Sequence, residues 1–312
     1  MTKIKMSIKN NFLVFTLFLC ASVYGQQEKL LTHFMYDRMS FNPGSTGTDV
    51  GYSATMLYRN QWDRFVGAPN SYILNLEGNF NNIGLGGMGL SIYHDAIGFL
   101  RQNNFVFNYS HPFQIRELGM LNVGLGVGLV NFSNNSADWI PPTTLDDPML
   151  QKIGSSTNLD VNFGIFWKSF KGYYFGISST HINQSELNKP SFTNKRHYFF
   201  TGGNRFGNVF GPGRDIESQL LIRSDLIKVS GDINLRYFHE NLFYSGLAFR
   251  PFESVGFLVG LYPFKNATIG YSYDLNIFGL NSVSNGSHEL LFRYKYVIPE
   301  PPLEKTKHPR WL

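Results

Sequence analysis

Between about residue 50 and residue 298 the chain alternates apolar and polar positions with a period of two. In TNLDVNFGIFWKS (residues 157–169) the apolar set is Leu159, Val161, Phe163, Ile165 and Trp167. The set between them is Asn158, Asp160, Asn162, Gly164 and Lys168, with Phe166 the exception. In LIKVSGDINLRYF (residues 226–238), Ile227, Val229, Gly231, Ile233, Leu235 and Tyr237 alternate with Lys228, Ser230, Asp232, Asn234 and Arg236. Such alternation places one apolar and one polar face on an extended strand. Similar segments cover residues 50–59, 71–79, 84–94, 104–111, 118–131, 172–180, 196–202, 216–223, 242–250, 255–261, 266–274 and 288–296, fourteen strands in all, and no convincing helix interrupts them.

Strand length decides the class. Ordinary strands average about 5–6 residues, whereas a strand that crosses a bilayer needs about 9–11. In hydrocarbon an unpaired backbone group costs several kcal/mol, so a sheet there closes on itself. The expectation is therefore an all-β protein, a transmembrane outer-membrane β-barrel of about 14 antiparallel strands over residues 50–298. Asp160, Lys168, Lys228, Asp232, Arg236, Arg250, Glu289 and Arg293 all fall opposite the apolar stripe of their own segment. A lysine or arginine on the lipid face would cost about 2–4 kcal/mol at mid-membrane. The competing architecture is a secreted β-sandwich or propeller. A mean hydropathy of −0.16 with 29 Phe and 17 Tyr suits a wall that is half lipid-facing and half wet, with aromatic girdles.

The ends carry other signals. Lys3, Lys5 and Lys9 precede the apolar run FLVFTLFLCASV (residues 12–23), which is followed by YGQQ. That is a secretory signal peptide, residues 1–25, and its run is too short for a membrane-spanning helix. Cys20 suggests a lipoprotein, but Leu19 stands where a small residue is wanted. Cleavage after Gly25 removes the one cysteine and three lysines without an acid, so much of the +5 formal charge goes with it. No nucleic-acid partner follows from the remainder, and no disulfide is available. Residues 26–49 read as a periplasmic or plug-like segment. Residues 299–312, PEPPLEKTKHPRWL, read as a periplasmic tail, disordered or docking. Long connections after the first, third, fifth, seventh and thirteenth strands alternate with short ones, which puts the long ones outside the cell. Residues 203–214 break that rule.

Several motifs look chemical and have simpler readings. GLGGMG (residues 84–89) matches a dinucleotide fingerprint, but a strand follows it rather than a helix. In VGLGVGLV (residues 123–130) the leucines and valines face lipid. Gly124, Gly126 and Gly128 line the lumen and leave room for something inside, such as a plug. SHELLF (residues 287–292) lacks the second histidine of a zinc helix, so no metal site is expected. His94, Asp95, His111 and His181 are scattered without a nucleophile and base, so an enzyme is not expected. Asp146, Asp147 and Pro148 in the longest loop suit a turn better than calcium. No cofactor is expected.

Two stretches resemble a known family. FNPGSTGT (residues 41–48) and RNQWDRFVGAP (residues 59–69) are similar to elements of the PorP/SprF outer-membrane proteins of Bacteroidetes. Further matches are GISSTHINQ (residues 176–184), IGYSYDL (residues 269–275) and GSHELLFRYKY (residues 286–296). Gly44 stands where the family usually has alanine, a departure of little expected consequence. Another departure is the tail beyond Tyr296, where many such barrels end on an aromatic strand residue.

The resemblance implies a non-enzymatic component of the type IX secretion system. It would support secretion or surface attachment of proteins with type B C-terminal domains, gliding adhesins among them. Its implied partners are those proteins, the periplasmic ring and motor subunits, and outer-membrane lipid. By position, Arg59, Gln61, Trp62, Gly67, Ala68 and Pro69 brace the barrel mouth or touch a partner. Asn42, Pro43 and Gly44 would lie at the periplasmic end as a turn or plug edge. A diffusion porin or lipid-uptake channel is the alternative function.

Overall fold

A computed structural model describes residues 29–134, 155–184, 194–277 and 284–297. The expected signal peptide, the C-terminal tail and the turn at residues 146–148 lie outside the described residues. Fourteen strands form one closed, antiparallel, nearest-neighbour barrel. They are β1 (Tyr52–Asn60), β2 (Asn70–Asn79), β3 (Gly87–Ile97), β4 (Leu100–Ile115), β5 (Gly119–Asn134), β6 (Ser156–Ser169) and β7 (Tyr174–Thr180). The second half comprises β8 (His197–Phe206), β9 (Arg214–Ser224), β10 (Val229–His239), β11 (Phe243–Arg250), β12 (Ser254–Phe264), β13 (Ala267–Asn276) and β14 (Ser287–Tyr296). β1 pairs with β14 along its whole length, Tyr52 opposite Tyr296 and Asn60 opposite His288, so no edge remains open. Among the described residues no helix is long and apolar enough to cross a membrane; the crossing is made by strands.

The two faces separate as the alternation requires. Phe105, Phe107, Leu125, Leu129, Ile177, Leu235, Val259 and Leu290 project outward and are exposed, which is a lipid-facing surface rather than a solvent-facing one. Asp160, Asp232, Arg236, Arg250 and Glu289 are buried inside. Lys228 differs: it lies in the turn between β9 and β10, where an exposed ammonium costs nothing. Phe166, the break in the pattern, also points inward and is fully buried. It stacks on Tyr174 at 5.3 Å under the Arg38 guanidinium.

Connections on the expected periplasmic side are short, for example residues 116–118, 240–242 and 265–266. Two expectations change. Only Gly98 and Phe99 join β3 to β4, because both strands extend past the apolar belt on polar side chains. The anomalous stretch at 203–214 shrinks to residues 207–213, because β8 continues to Phe206.

The lumen is occupied by the chain itself. Residues 29–49 run inside the wall, from Lys29 near the outer ends of the strands to Asp49 near the periplasmic ends. Lys29 O accepts from Arg223 at 3.0 Å, and Asp49 meets Lys168 at 2.8 Å. This plug has no regular periodicity, only a helical turn at Arg38–Phe41 flanked by 3-10 turns at Phe34–Tyr36 and Pro43–Ser45. Leu31, Phe34, Met35 and Phe41 join the inward Leu57, Ile73, Phe199, Leu221 and Leu291 in one apolar cluster.

Small wall residues make the space. A Cβ at Gly124 would come within 2.3 Å of Pro43 and Gly44 backbone atoms, and one at Gly164 within 2.1 Å of the Asn42 side chain. In GLGGMG, Gly84 and Gly86 belong to the turn and adopt positive φ, while Gly87 and Gly89 face the plug at Thr46 and Met39.

Replacing Gly124 with Val forces the plug away from β5. The expected loss is about 1–3 kcal/mol, read as a lower midpoint for thermal loss of the folded band in semi-native electrophoresis. Leu125→Ala on the lipid face of the same strand keeps the plug in place and shifts that midpoint less.

Candidate functional site

Three residues of the resembling stretches, Arg59, Asp274 and Glu289, converge on one interior site. Glu289 and Arg59 are direct cross-strand partners on β14 and β1. Arg59 reaches Glu289 Oε2 at 3.0 Å and Asp274 Oδ2 of β13 at 2.7 Å. The plug completes the cluster: backbone N–H groups of Thr32 and His33 donate to the Glu289 carboxylate at 2.9 and 2.7 Å. Thr32 Oγ1 donates to Asp274 at 2.6 Å. His33 links Glu289 Oε1 through Nδ1 (2.8 Å) to the Tyr244 hydroxyl through Nε2 (3.1 Å). His33 and Glu289 have no solvent exposure, and Arg59 and Asp274 almost none. A buried carboxylate persists only where donors surround it, and here they come from the plug backbone and from Arg59 of the wall.

Lower contacts continue the same lock. Ser178 Oγ donates to Phe41 O at 2.6 Å, and Asn42 Nδ2 donates to Ile165 O at 3.1 Å. Asn42 Oδ1 also accepts from Gly44 N–H at 2.9 Å, which caps the 3-10 turn begun by Pro43. Asn42, Pro43 and Gly44 are therefore wedged against β5 and β6 inside the lumen rather than at the periplasmic rim. The Gly44 departure has a packing consequence: a Cβ there would lie 2.9 Å from Gly164 O and 3.0 Å from Asn122 O.

At the periplasmic end Asp49 faces Lys168, Arg293 (3.4 Å) and Arg38 (3.7 Å). Burial would raise the Asp49 carboxyl, but Lys168, Arg38 and Arg293 outweigh it and hold it well below the usual carboxylate range. Arg236 adds a side tether, 2.9 Å to the Tyr36 hydroxyl and 2.8 Å to Glu217.

The other expected residues form a separate feature at the outer rim. In the β1–β2 loop Gln61 N–H donates to Pro69 O at 3.0 Å, and Gln61 and Pro69 are buried. Trp62 is half-buried, with its N–H on Ser287 Oγ at 3.1 Å and its ring edge-on to Phe65 at 6.4 Å. Asp63 exchanges backbone bonds with Asn285 and Gly286 beside β14, while Gly67 O accepts from Gly98 beside β3. Gly67 needs its positive φ of 79° to make that reach. Ala68 N–H closes on Phe65 O. The loop is thus tied on both sides, and its tip, Phe65 and Val66, stands free.

Sequence reasoning does not single out Thr32, His33, Asp274 or Glu289 as site residues. Asp274 and Glu289 lie within the family-like motifs, but only the wall register brings them to Arg59. His181, scattered from the other histidines in sequence, meets Asp160 at 2.7 Å across β6 and the β7 end. That pair borders a cavity of about 220 Å³ between the plug and β3, β4, β6 and β8. Among the described residues no cluster of three metal-ligating side chains occurs.

Arg59→Met leaves Glu289 and Asp274 buried without their cation, a loss of about 3–5 kcal/mol. Expected are protease access to residues 29–49 and raised ion conductance in planar bilayers, with the barrel still folded. Unchanged protection and conductance would show that Arg59 does not hold the plug.

The model of one protein family, type IX secretion system membrane protein PorP/SprF, matches residues 23–294. No protein of curated function matches in sequence. Among solved structures the chain is similar to the Acinetobacter baumannii outer membrane protein Omp33, with 7% identity, 80% of this chain and 100% of that chain covered, and a TM-score of 0.49. It is also similar to the CymD monoaromatic hydrocarbon channel (10% identity, 83% and 92% covered, TM-score 0.48). A third is BamA from Haemophilus ducreyi lacking POTRA domains 1–3 (10% identity, 80% and 71% covered, TM-score 0.40). These likenesses are weak, and the activities of those proteins do not transfer to this one.

Proposed function

The chain belongs to the PorP/SprF family of type IX secretion system membrane proteins, residing in the outer membrane, and on that premise we propose that it is a non-enzymatic scaffold of the apparatus. In this reading it supports the secretion or surface attachment of proteins with type B C-terminal domains, gliding adhesins among them. It works with the periplasmic ring and motor subunits, embedded in outer-membrane lipid.

The observation that carries the reading is the interior lock. Arg59, Glu289 and Asp274, all within family-like motifs, serve to hold residues 29–49 inside the barrel. A diffusion porin needs a wet, continuous lumen, and here fully buried side chains fill its middle. A protein whose most distinctive residues close its own pore is suited to contact rather than conduction. The contact surfaces are then its ends. At the outer rim Trp62 is of a residue type that dominates interface hot spots, and Phe65 and Val66 beside it are exposed.

Deletion of the gene, followed by quantitative proteomics of medium and cell surface, tests this function. The expected result is selective loss or release of proteins with type B C-terminal domains, restored by complementation. An unchanged surface proteome with altered uptake of small solutes would overturn the reading in favour of a porin. Complementation with Trp62→Ala tests the rim. Because that loop is tied by backbone bonds, the barrel should assemble and secretion should fall. Loss of the folded barrel would instead assign Trp62 to bracing.

A further inference from the structure

The lipid-facing wall carries a built feature at its outer rim. Where the β1–β2 loop meets the β3–β4 turn they enclose a pocket of about 290 Å³. The strand residues that line it, Asn60, Asn70, Ala96 and Arg101, occupy outward positions in a row across β1 to β4. The pocket therefore opens toward the membrane and not toward the lumen. Arg64 and Arg101 both line it, and neither has an ion-pair partner among the described residues. Arg101 uses one amino group on the Gly98 and Leu100 carbonyls, at 2.6 and 3.1 Å, which fixes its head beside the turn. Asn60 Oδ1 is buried and has no donor.

The rows beneath have the chemistry of a membrane interface. One register step inward come Tyr58, Tyr72, His94 and Asn103. Tyr58 and Tyr72 pack at 4.9 Å, and His94 Nδ1 meets Asn103 Oδ1 at 2.6 Å. The next row is Met56, Leu74, Ile92 and Phe105, wholly apolar. Cationic and amide groups, then aromatic and amide groups, then hydrocarbon, is the order met on descending through a lipid headgroup into its acyl chains.

We propose that this pocket holds the phosphorylated sugar headgroup of an outer-leaflet glycolipid. Arg64 and Arg101 take the phosphate, for which a guanidinium offers paired N–H donors. A sugar hydroxyl or amide N–H donates to Asn60 Oδ1; a ring sugar carries more such donors, held more rigidly, than the flexible glycerol of phosphatidylglycerol. Asp63, on the loop side of the pocket, repels phosphate from that edge and accepts from sugar hydroxyls. The acyl chains descend over the tyrosine pair onto Met56 and Leu74. The site shares the β1–β2 loop with the proposed rim contact, but lipid binding by the isolated barrel is read without the secretion apparatus, so the two readings fail separately.

The test is native mass spectrometry of the full barrel in detergent. Three probes are added in parallel: diphosphorylated lipid A, the same lipid A after enzymatic dephosphorylation, and phosphatidylglycerol. Wild-type protein should retain the diphosphorylated lipid about tenfold more than the dephosphorylated form, as loss of charged hydrogen bonds predicts. Arg64→Ala with Arg101→Ala should abolish that preference, and Asn60→Ala should narrow the margin over phosphatidylglycerol. Equal retention of both lipid A forms would overturn the proposal, as would a preference that survives the double substitution. Retention of phosphatidylglycerol equal to lipid A would overturn the sugar assignment and leave an anionic phospholipid site. The wild-type comparison of the two lipid A forms decides the matter even where the double variant does not fold.

Discussion

A carboxylate in the middle of a filled barrel must be surrounded by donors. Glu289 satisfies that requirement by drawing two of them from the backbone of residues 32 and 33 and a third from Arg59. This one group sets the height of the plug in the lumen, and other choices along the wall follow. With Thr32 and His33 pinned beside β13 and β14, Asn42 and Gly44 arrive opposite β5 and β6. Gly124 and Gly164 must then be glycine, because the plug backbone and the Asn42 side chain occupy the positions of their missing Cβ atoms. Asp49 arrives next to Lys168 and Arg293, so the lower end is held by charge as the upper end is.

The barrel is legible in the sequence because its cause is local. Each wall strand faces two media, and that constraint is written into neighbouring residues; all fourteen segments read from alternation correspond to strands. Departures are confined to places where the two media cease to apply. β3 and β4 rise beyond the apolar belt, where polar residues such as Gln102 and Asn104 no longer mark an end. Phe166 is apolar on the wet face because the lumen beside it is filled by Arg38 and Tyr174. The plug obeys no period, since its environment is supplied by residues scattered along the chain, from Asn75 beside Asp37 to Glu289 beside Thr32, 257 positions away. Beyond the plug-like reading of residues 26–49 and the family-like FNPGSTGT, its trace in the sequence is indirect: glycines on a lumen face that would otherwise carry side chains.

The candidate residues divide by the same logic. Arg59 belongs to the interior cluster and acts through Glu289 and Asp274, whose roles emerge only from the barrel register. Asn42, Pro43 and Gly44 shape the plug's tightest turn against the wall. Gln61 through Pro69 shape a rim loop fastened to both neighbouring hairpins by main-chain bonds, so its side chains are free to carry other chemistry. A motif that is continuous from residue 59 to residue 69 thus serves two sides of the same wall. Its first residue points into the lumen, and its later residues stand at the rim of the barrel.

Arg59 and Glu289 face each other on the first and last strands of the barrel. The pairing that turns an open sheet into a cylinder is therefore also the pairing that assembles the clamp around residues 32 and 33. Sealing the wall and trapping its contents become one event. A segment clasped in this way meets its full set of partners only once the seam is paired, because the clamp draws one jaw from each end of the wall. Residues 29–49 thus act as a keystone for the cylinder, a part whose fit is complete only when the ring around it is.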